Sequence, residues 1–177
     1  MQSIKEESAE VYYANSSVVK VDSKTIQWLK DKALHNKNKK SRLCVHKSSA
    51  DDAVHEMLIV HARDVYVPPH KHINKTESFH IIEGSVDIVI FSESGHVTEV
   101  IPLGKDSPEV NFYYRISDPL YHTLLITSDI VVFHETTKGP FKKEDTIYAP
   151  WAPNGLNPEA NRKYIQDLKE SVRRFRS

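Results

Sequence analysis

The amino-acid sequence predicts an all-β sandwich or barrel with a short helix before it and a further helix after it. Three observations carry that prediction. Between residues 43 and 135, short segments rich in Val, Ile, Phe and Tyr alternate with Gly, Pro, Asp and Ser. No stretch of helical period interrupts them, which argues against a parallel α/β sheet. Apolar residues at helical spacing occur instead at the two ends, over residues 26–34 and 165–175.

Taken in order, residues 1–21 show no strong period, and Val18-Val19-Lys20-Val21 reads as a short strand or an arm. Asp22 or Ser23 then caps a helix whose apolar residues are Ile26, Leu29, Ala33 and Leu34 and which ends near His35-Asn36. The basic run Lys37-Asn38-Lys39-Lys40-Ser41-Arg42 is a solvated connection into the main domain. Strands are predicted over residues 43–46, 54–61, 65–67, 78–82, 86–91, 97–102, 112–115, 122–126 and 130–135, with hairpin turns at Glu83-Gly84 and Ser94-Gly95. Their close spacing is that of a sandwich or barrel.

Beyond them, Gly139-Pro140-Phe141 and Ala149-Pro150-Trp151-Ala152-Pro153 form a proline-stiffened strap, in which Trp151 is expected to close the barrel rather than stack on a sugar. Asn157 caps the last helix, Pro158 suits its first turn, and Ile165, Leu168, Val172 and Phe175 make its apolar stripe. That stripe should pack on the barrel or on a second copy of the chain in a homodimer. The chain thus divides into an arm, helix and basic loop (1–41), a barrel (42–153) and a docking helix (154–177).

Composition narrows the function classes. Lys+Arg and Asp+Glu both number 24 in 177 residues, so the balance gives no support for a nucleic-acid-coating surface. Cys44 is the single cysteine, which excludes an intramolecular disulfide, a cysteine zinc finger and a CxxC redox pair, and fits a reducing compartment. The first residues lack an apolar signal core and no run has the length a bilayer needs, so a cytoplasmic protein without membrane partners is expected. Nucleophile-elbow, P-loop and dinucleotide motifs are absent from the sequence. The ten histidines are the unusual number, because neutral imidazole is the commonest metal ligand.

The informative stretch is Pro68-Pro69-His70-Lys71-His72-Ile73-Asn74-Lys75-Thr76-Glu77. In an extended segment alternate residues share a face, so His70 and His72 point to one side, and a tight turn brings Glu77 back beside them. From Glu77 the same parity turns Phe79 and Ile81 inward and Ser78 and His80 outward, which makes His80 a poor ligand. A fourth donor should come from a strand packed opposite. His122, which precedes the alternating Leu124 and Ile126, is suitably placed for it. Three imidazoles and a carboxylate suit one divalent ion among Fe, Mn, Ni, Co, Cu and Zn. The plain alternative for an isolated HxH is a pair of surface histidines after a Pro-Pro turn; Glu77, Gly84 and the strand pattern weigh against it.

His70, His72, Glu77 and Gly84 spell H-x-H-x4-E-x6-G, which resembles the first conserved motif of the cupin superfamily. That resemblance implies a jelly-roll (double-stranded β-helix) barrel holding one metal by three His and one Glu. Asp64 stands where the motif usually starts with glycine, and of the second motif only His122 remains, within Pro119-Leu120-Tyr121-His122-Thr123. More narrowly, residues 42–153 resemble the WbuC-like cupins, which are associated with O-antigen and other surface-polysaccharide gene clusters. The matching residues are Arg42 with His46, Asp51-Asp52, Val54-His55-Glu56-Met57, Tyr66 with Pro69, Tyr121-His122-Thr123, Glu135 with Gly139-Pro140-Phe141, and the 149–153 strap. Cys44 stands where Asn is common in that family.

Around the expected metal, Arg42, His46, Tyr66 and Glu135 are the candidate groups for an anionic or hydroxylated small-molecule ligand. The resemblance implies a metal-dependent enzyme or binder acting on a sugar-like molecule; no catalytic residue is assigned. Two alternatives remain open. One is a non-catalytic cupin that carries or senses a small ligand. The other is a metal-free nucleotide-sugar ketoisomerase or epimerase with His70 and His72 as acid and base.

Overall fold

The computed structural model describes residues 3–47, 51–105, 108 and 110–177. Among the described residues, twelve strands form two antiparallel sheets with one parallel pairing, and a helix covers the outer side of each. The larger sheet runs in the order β1 (Ile4–Glu6), β2 (Val11–Ala14), β3 (Lys40–Cys44), β4 (Val54–Ala62), β11 (Ile130–Lys138), β6 (Glu77–Glu83) and β9 (Tyr113–Ile116). The smaller runs β12 (Thr146–Tyr148), β5 (His70–His72), β10 (Tyr121–Ile126), β7 (Ser85–Phe91) and β8 (Val97–Gly104).

Alternation along each strand divides its side chains between two cores. Met57, Ile59, Phe79, Ile81 and Phe133 of the larger sheet face Ile88, Ile90, Leu124 and Ile126 of the smaller one. The opposite parity, Leu58, Val60 and Val132, packs under helix α1 (Ser23–His35) through Ile26, Leu29 and Ala33. Val89, Phe91, Tyr121 and Leu125 pack in the same way under helix α2 (Pro158–Arg176) through Ile165, Leu168 and Val172. This four-layer arrangement explains why all six residues of β10 are buried although its neighbours are antiparallel.

Asp22, rather than Ser23, caps α1 by accepting from Thr25 N at 2.9 Å, and Asn157 caps α2 by accepting from Glu159 N and Ala160 N. Both helical stripes are narrower than expected. Leu34 and Phe175 are 44% and 48% exposed, because each lies at the edge of its stripe near a helix end.

Several expected elements differ. The N-terminal strands form at Ile4–Glu6 and Val11–Ala14, with β2 pairing in parallel to β3, and Val18–Val21 forms no strand. Residues 65–67 form no strand either: the chain turns at Arg63-Asp64, and Val65 N bonds back to Ala62 O. Asp64 occupies the left-handed region at φ 66°, the conformation for which glycine is the ordinary choice and which Asp tolerates better than most residues. Its carboxylate also meets Lys169 of α2 at 2.8 Å. Gly84, at φ 75°, joins β6 to β7; a Cβ there would fall 2.1 Å from the Ile130 carbonyl oxygen.

The strap contributes β12 and then Trp151, which packs on Phe91 and Tyr121 and donates to Glu93 O across the barrel end. Among the described residues no helix is long and apolar enough to cross a membrane.

Candidate metal centre

Strand β5 is short but fixed on both sides: His70 pairs with His122 of β10 and with Tyr148 of β12, and His72 pairs with Thr146 of β12. Directly paired residues share a face, so His70, His72 and His122 project together into the space between the sheets. One ring nitrogen from each lies within 4.8 Å of the others. The turn after β5, with Asn74 at φ 61°, returns the chain into β6, where Glu77 enters from the larger sheet. Its carboxylate lies 3.2 Å from His72 Nε2 and 2.9 Å from His122 Nε2. His80 is exposed on the outer face, as parity requires.

The outer nitrogen of each ring is already engaged. His70 Nδ1 donates to Pro68 O at 2.8 Å and His122 Nδ1 to Leu120 O at 2.9 Å, since a carbonyl can only accept. His72 Nδ1 lies 3.1 Å from Thr146 Oγ1. In the neutral rings, with Nδ1 protonated, Nε2 of His70 and of His122 is an unprotonated lone pair. His122 Nε2 is buried, and despite its closeness to Glu77 it has no aligned hydrogen-bond partner. A buried orphan nitrogen beside two further imidazoles and a carboxylate fits a divalent ion of the borderline class. Such an ion, when bound, can orient a chelating ligand or polarise its oxygen.

Electrostatics couple the group. Burial opposes the charge on Glu77, but His122 and His72 outweigh it and hold the carboxyl well below the usual carboxylate range. Burial likewise opposes charge on His122, and Glu77 outweighs it and raises that imidazole. Burial, with His122 adding, pushes His70 down to about 4. Tyr114 of β9 donates to Glu77 Oε1 at 2.8 Å, and burial together with Glu77 pushes its phenol well up.

The other expected residues divide. Glu135 lies on the inward face of β11, two positions from Thr137, which pairs with Glu77. Burial and the Glu77 charge push it up to about 8 against the pull of Arg42, His122 and Lys75. Arg42, on β3, is exposed, and its charge pulls the carboxyl of Glu135 down. His46 stacks on His55 with ring centroids 4.1 Å apart, at the start of β4. Tyr66 is set apart from the centre: it packs edge-on against Tyr164 in the core beneath α2 and donates to Pro153 O at 2.8 Å. Its hydroxyl therefore ties the strap to the barrel. Thr146, Tyr114, His55 and Lys75 join the neighbourhood without having been expected there; inward parity alone signals Tyr114 and His55.

No curated protein matches the sequence. A family model described as a domain of unknown function, DUF6016, matches residues 21–103. Among solved structures, a Shewanella oneidensis protein from structural genomics is similar with a TM-score of 0.51 at 12% identity, over 70% of this chain and 79% of that one. CapF, crystallised with the inhibitor 3-isopropenyl-tropolone, is similar with a TM-score of 0.51 at 18% identity, over 64% of this chain and 32% of CapF, so the chain spans about a third of that protein. The cupin domain of Schizosaccharomyces pombe Cnp3 gives a TM-score of 0.43 at 12% identity, over 56% of this chain and 64% of that domain. The first two likenesses, at these identities, are of fold alone. Two facing sheets flanked by two helices give this chain the cupin-type jelly-roll fold.

Proposed function

We propose that this is a WbuC-like cupin metalloprotein that holds one divalent ion (Fe, Mn, Ni, Co, Cu or Zn) on His70, His72, Glu77 and His122. It binds or acts on a sugar-like small molecule of surface-polysaccharide synthesis. The observation that supports the metal most is the pairing of engaged Nδ1 atoms with inward Nε2 atoms, two of the latter beside one carboxylate. Outer partners of this kind orient metal-binding imidazoles and set their tautomer. The sugar-like ligand rests on the resemblance over residues 42–153 and on the polar side chains that ring the centre. The metal-free alternative has less support, because burial drives His70 down to about 4 and leaves it a weak proton carrier near neutrality.

Elemental analysis of protein purified without added metal or an affinity chelate tests the metal reading. A stoichiometric divalent ion is expected, and its absence from folded protein would favour the acid-base alternative. Turnover of nucleotide sugars by the loaded protein, against binding alone, separates enzyme from carrier.

A further inference from the structure

Strand β9 is the outermost strand of the larger sheet and pairs with β6 alone. Of its four residues only Tyr114 is buried, at 6% exposure. Register sets Tyr114 opposite Phe79; the two rings meet edge-on with centroids 5.1 Å apart, and Phe79 in turn packs on Phe133 at 4.6 Å. Glu77, two residues before Phe79 on the same inner face, is the diagonal neighbour of Tyr114 and lies within reach of a long side chain. The Tyr114 hydroxyl closes that gap and donates to Glu77 Oε1 at 2.8 Å.

The aromatic packing needs only the ring. What the hydroxyl adds is a hold on the carboxylate. The terminal torsion of a Glu side chain is broad, so burial alone leaves its two oxygens free to rotate. An ionised carboxylate can only accept, and Glu77, 3% exposed, is shielded from the donors that bulk water would offer. The nearest imidazole does not replace them. His122 Nε2 lies 2.9 Å from Oε1, but it carries no proton in the neutral ring, whose Nδ1 donates to Leu120 O, and ligation requires that ring to be neutral. Tyr114 thus supplies the donor to Oε1, while Oε2 faces His72 Nε2 at 3.2 Å.

We infer that Tyr114 is a positioning residue of the metal centre: its hydroxyl fixes the rotation of the Glu77 carboxylate and keeps it aimed at the space shared by His70, His72 and His122. This rests on the metal-centre reading and adds to it a group outside the ligand set. The ring stack on Phe79 holds the phenol, the phenol holds the carboxylate, and an edge strand that contributes no ligand thereby sets the geometry of one.

The test is titration of the chelator-stripped full chain with Co(II), read by competition with a chromogenic chelator and by the visible d–d absorption of the bound ion. Tyr114→Phe keeps the ring and should lower Co(II) affinity by about 10–100-fold, with a changed d–d spectrum. A merely structural role is separated by a double-mutant cycle with Glu77→Ala. In that background three imidazoles still bind Co(II), more weakly, and adding Tyr114→Phe should cost nothing further, because the hydroxyl has no carboxylate to hold. Equal losses in both backgrounds, or unchanged affinity and spectrum in folded Tyr114→Phe protein, would overturn the inference. Should Glu77→Ala fold poorly or bind too weakly to measure, the spectrum of Tyr114→Phe decides. Wild-type protein that takes up no Co(II) would sink the metal centre and this inference with it, whereas wild-type binding that is independent of Tyr114 would sink this inference alone.

Discussion

His70 and His122 stand directly opposite each other on neighbouring antiparallel strands, and each donates its Nδ1 proton to the carbonyl two residues earlier in its own chain segment. The two rings therefore enter the barrel with the same tautomer and the same local support, one from each side of a single strand pair. His72 is the exception. Its outer nitrogen depends on a hydroxyl from the strap, Thr146 Oγ1 at 3.1 Å. Removing that hydroxyl should loosen one ligand without touching the other two. Thr146→Val is expected to lower metal affinity by about 10–100-fold, the usual effect of losing such a partner, with the thermal midpoint of the metal-free protein little changed. Competition against a chromogenic chelator measures it, and an unaltered affinity would show that His72 needs no support from the strap.

Acid should release the metal. An imidazole binds a metal only when neutral, and Glu77 raises His122 in the metal-free protein, so protons compete from above the reference histidine value of about 6.5 downward. Affinity should thus fall as pH falls through that region. A metal affinity flat from neutrality to about pH 5 would point to an all-oxygen site.

Stability of the metal-free protein should depend on His61, which lies outside the centre. It packs edge-on against Phe133 with Nδ1 buried and unbonded, and burial, with Lys40 adding, pushes it down to about 3. The unfolded chain takes up a proton near 6.5 that the folded one refuses, so the contribution is whole above about 6.5 and is lost as pH falls toward the folded value. His61→Phe should flatten the pH dependence of urea-unfolding stability in that window by up to about 1.4 kcal/mol per pH unit. An unchanged slope would mean that His61 is protonated in the folded state.

Helix α2 should act on stability and leave the metal alone. Leu168, 6% exposed between Ile165 and Val172, meets the outer face of the smaller sheet, so Leu168→Ala should cost about 2–5 kcal/mol. Phe175, 48% exposed, should give only about 0.5 kcal/mol on replacement by Ala. Equal effects of the two in thermal unfolding would contradict the packing described.

Much of this was legible in the sequence because period and parity are local properties. The alternation Glu77, Phe79, Ile81 and the pair His70 and His72 fix which side chains enter the barrel once the strand is granted, and the caps Asp22 and Asn157 mark the helices. What escaped is set by contacts distant in sequence. Strands β1, β2 and β12 are three or four residues long and exist because an edge strand is there to pair with. Thr146 and Tyr114 reach the centre only through such pairings. Tyr66 shows the converse: it lies close in sequence to His70, yet its side chain belongs to the core beneath α2.

In the proposed metal centre, Nε2 atoms from β5 and β10 share one ion with the Glu77 carboxylate. The most direct measurement is the metal content of the wild-type, His72→Ala and His122→Ala proteins, purified identically without a metal-chelating tag, with circular dichroism to confirm the fold. The wild type should carry a single divalent ion per chain, and each variant should lose it. Undiminished metal in both folded variants would contradict the site.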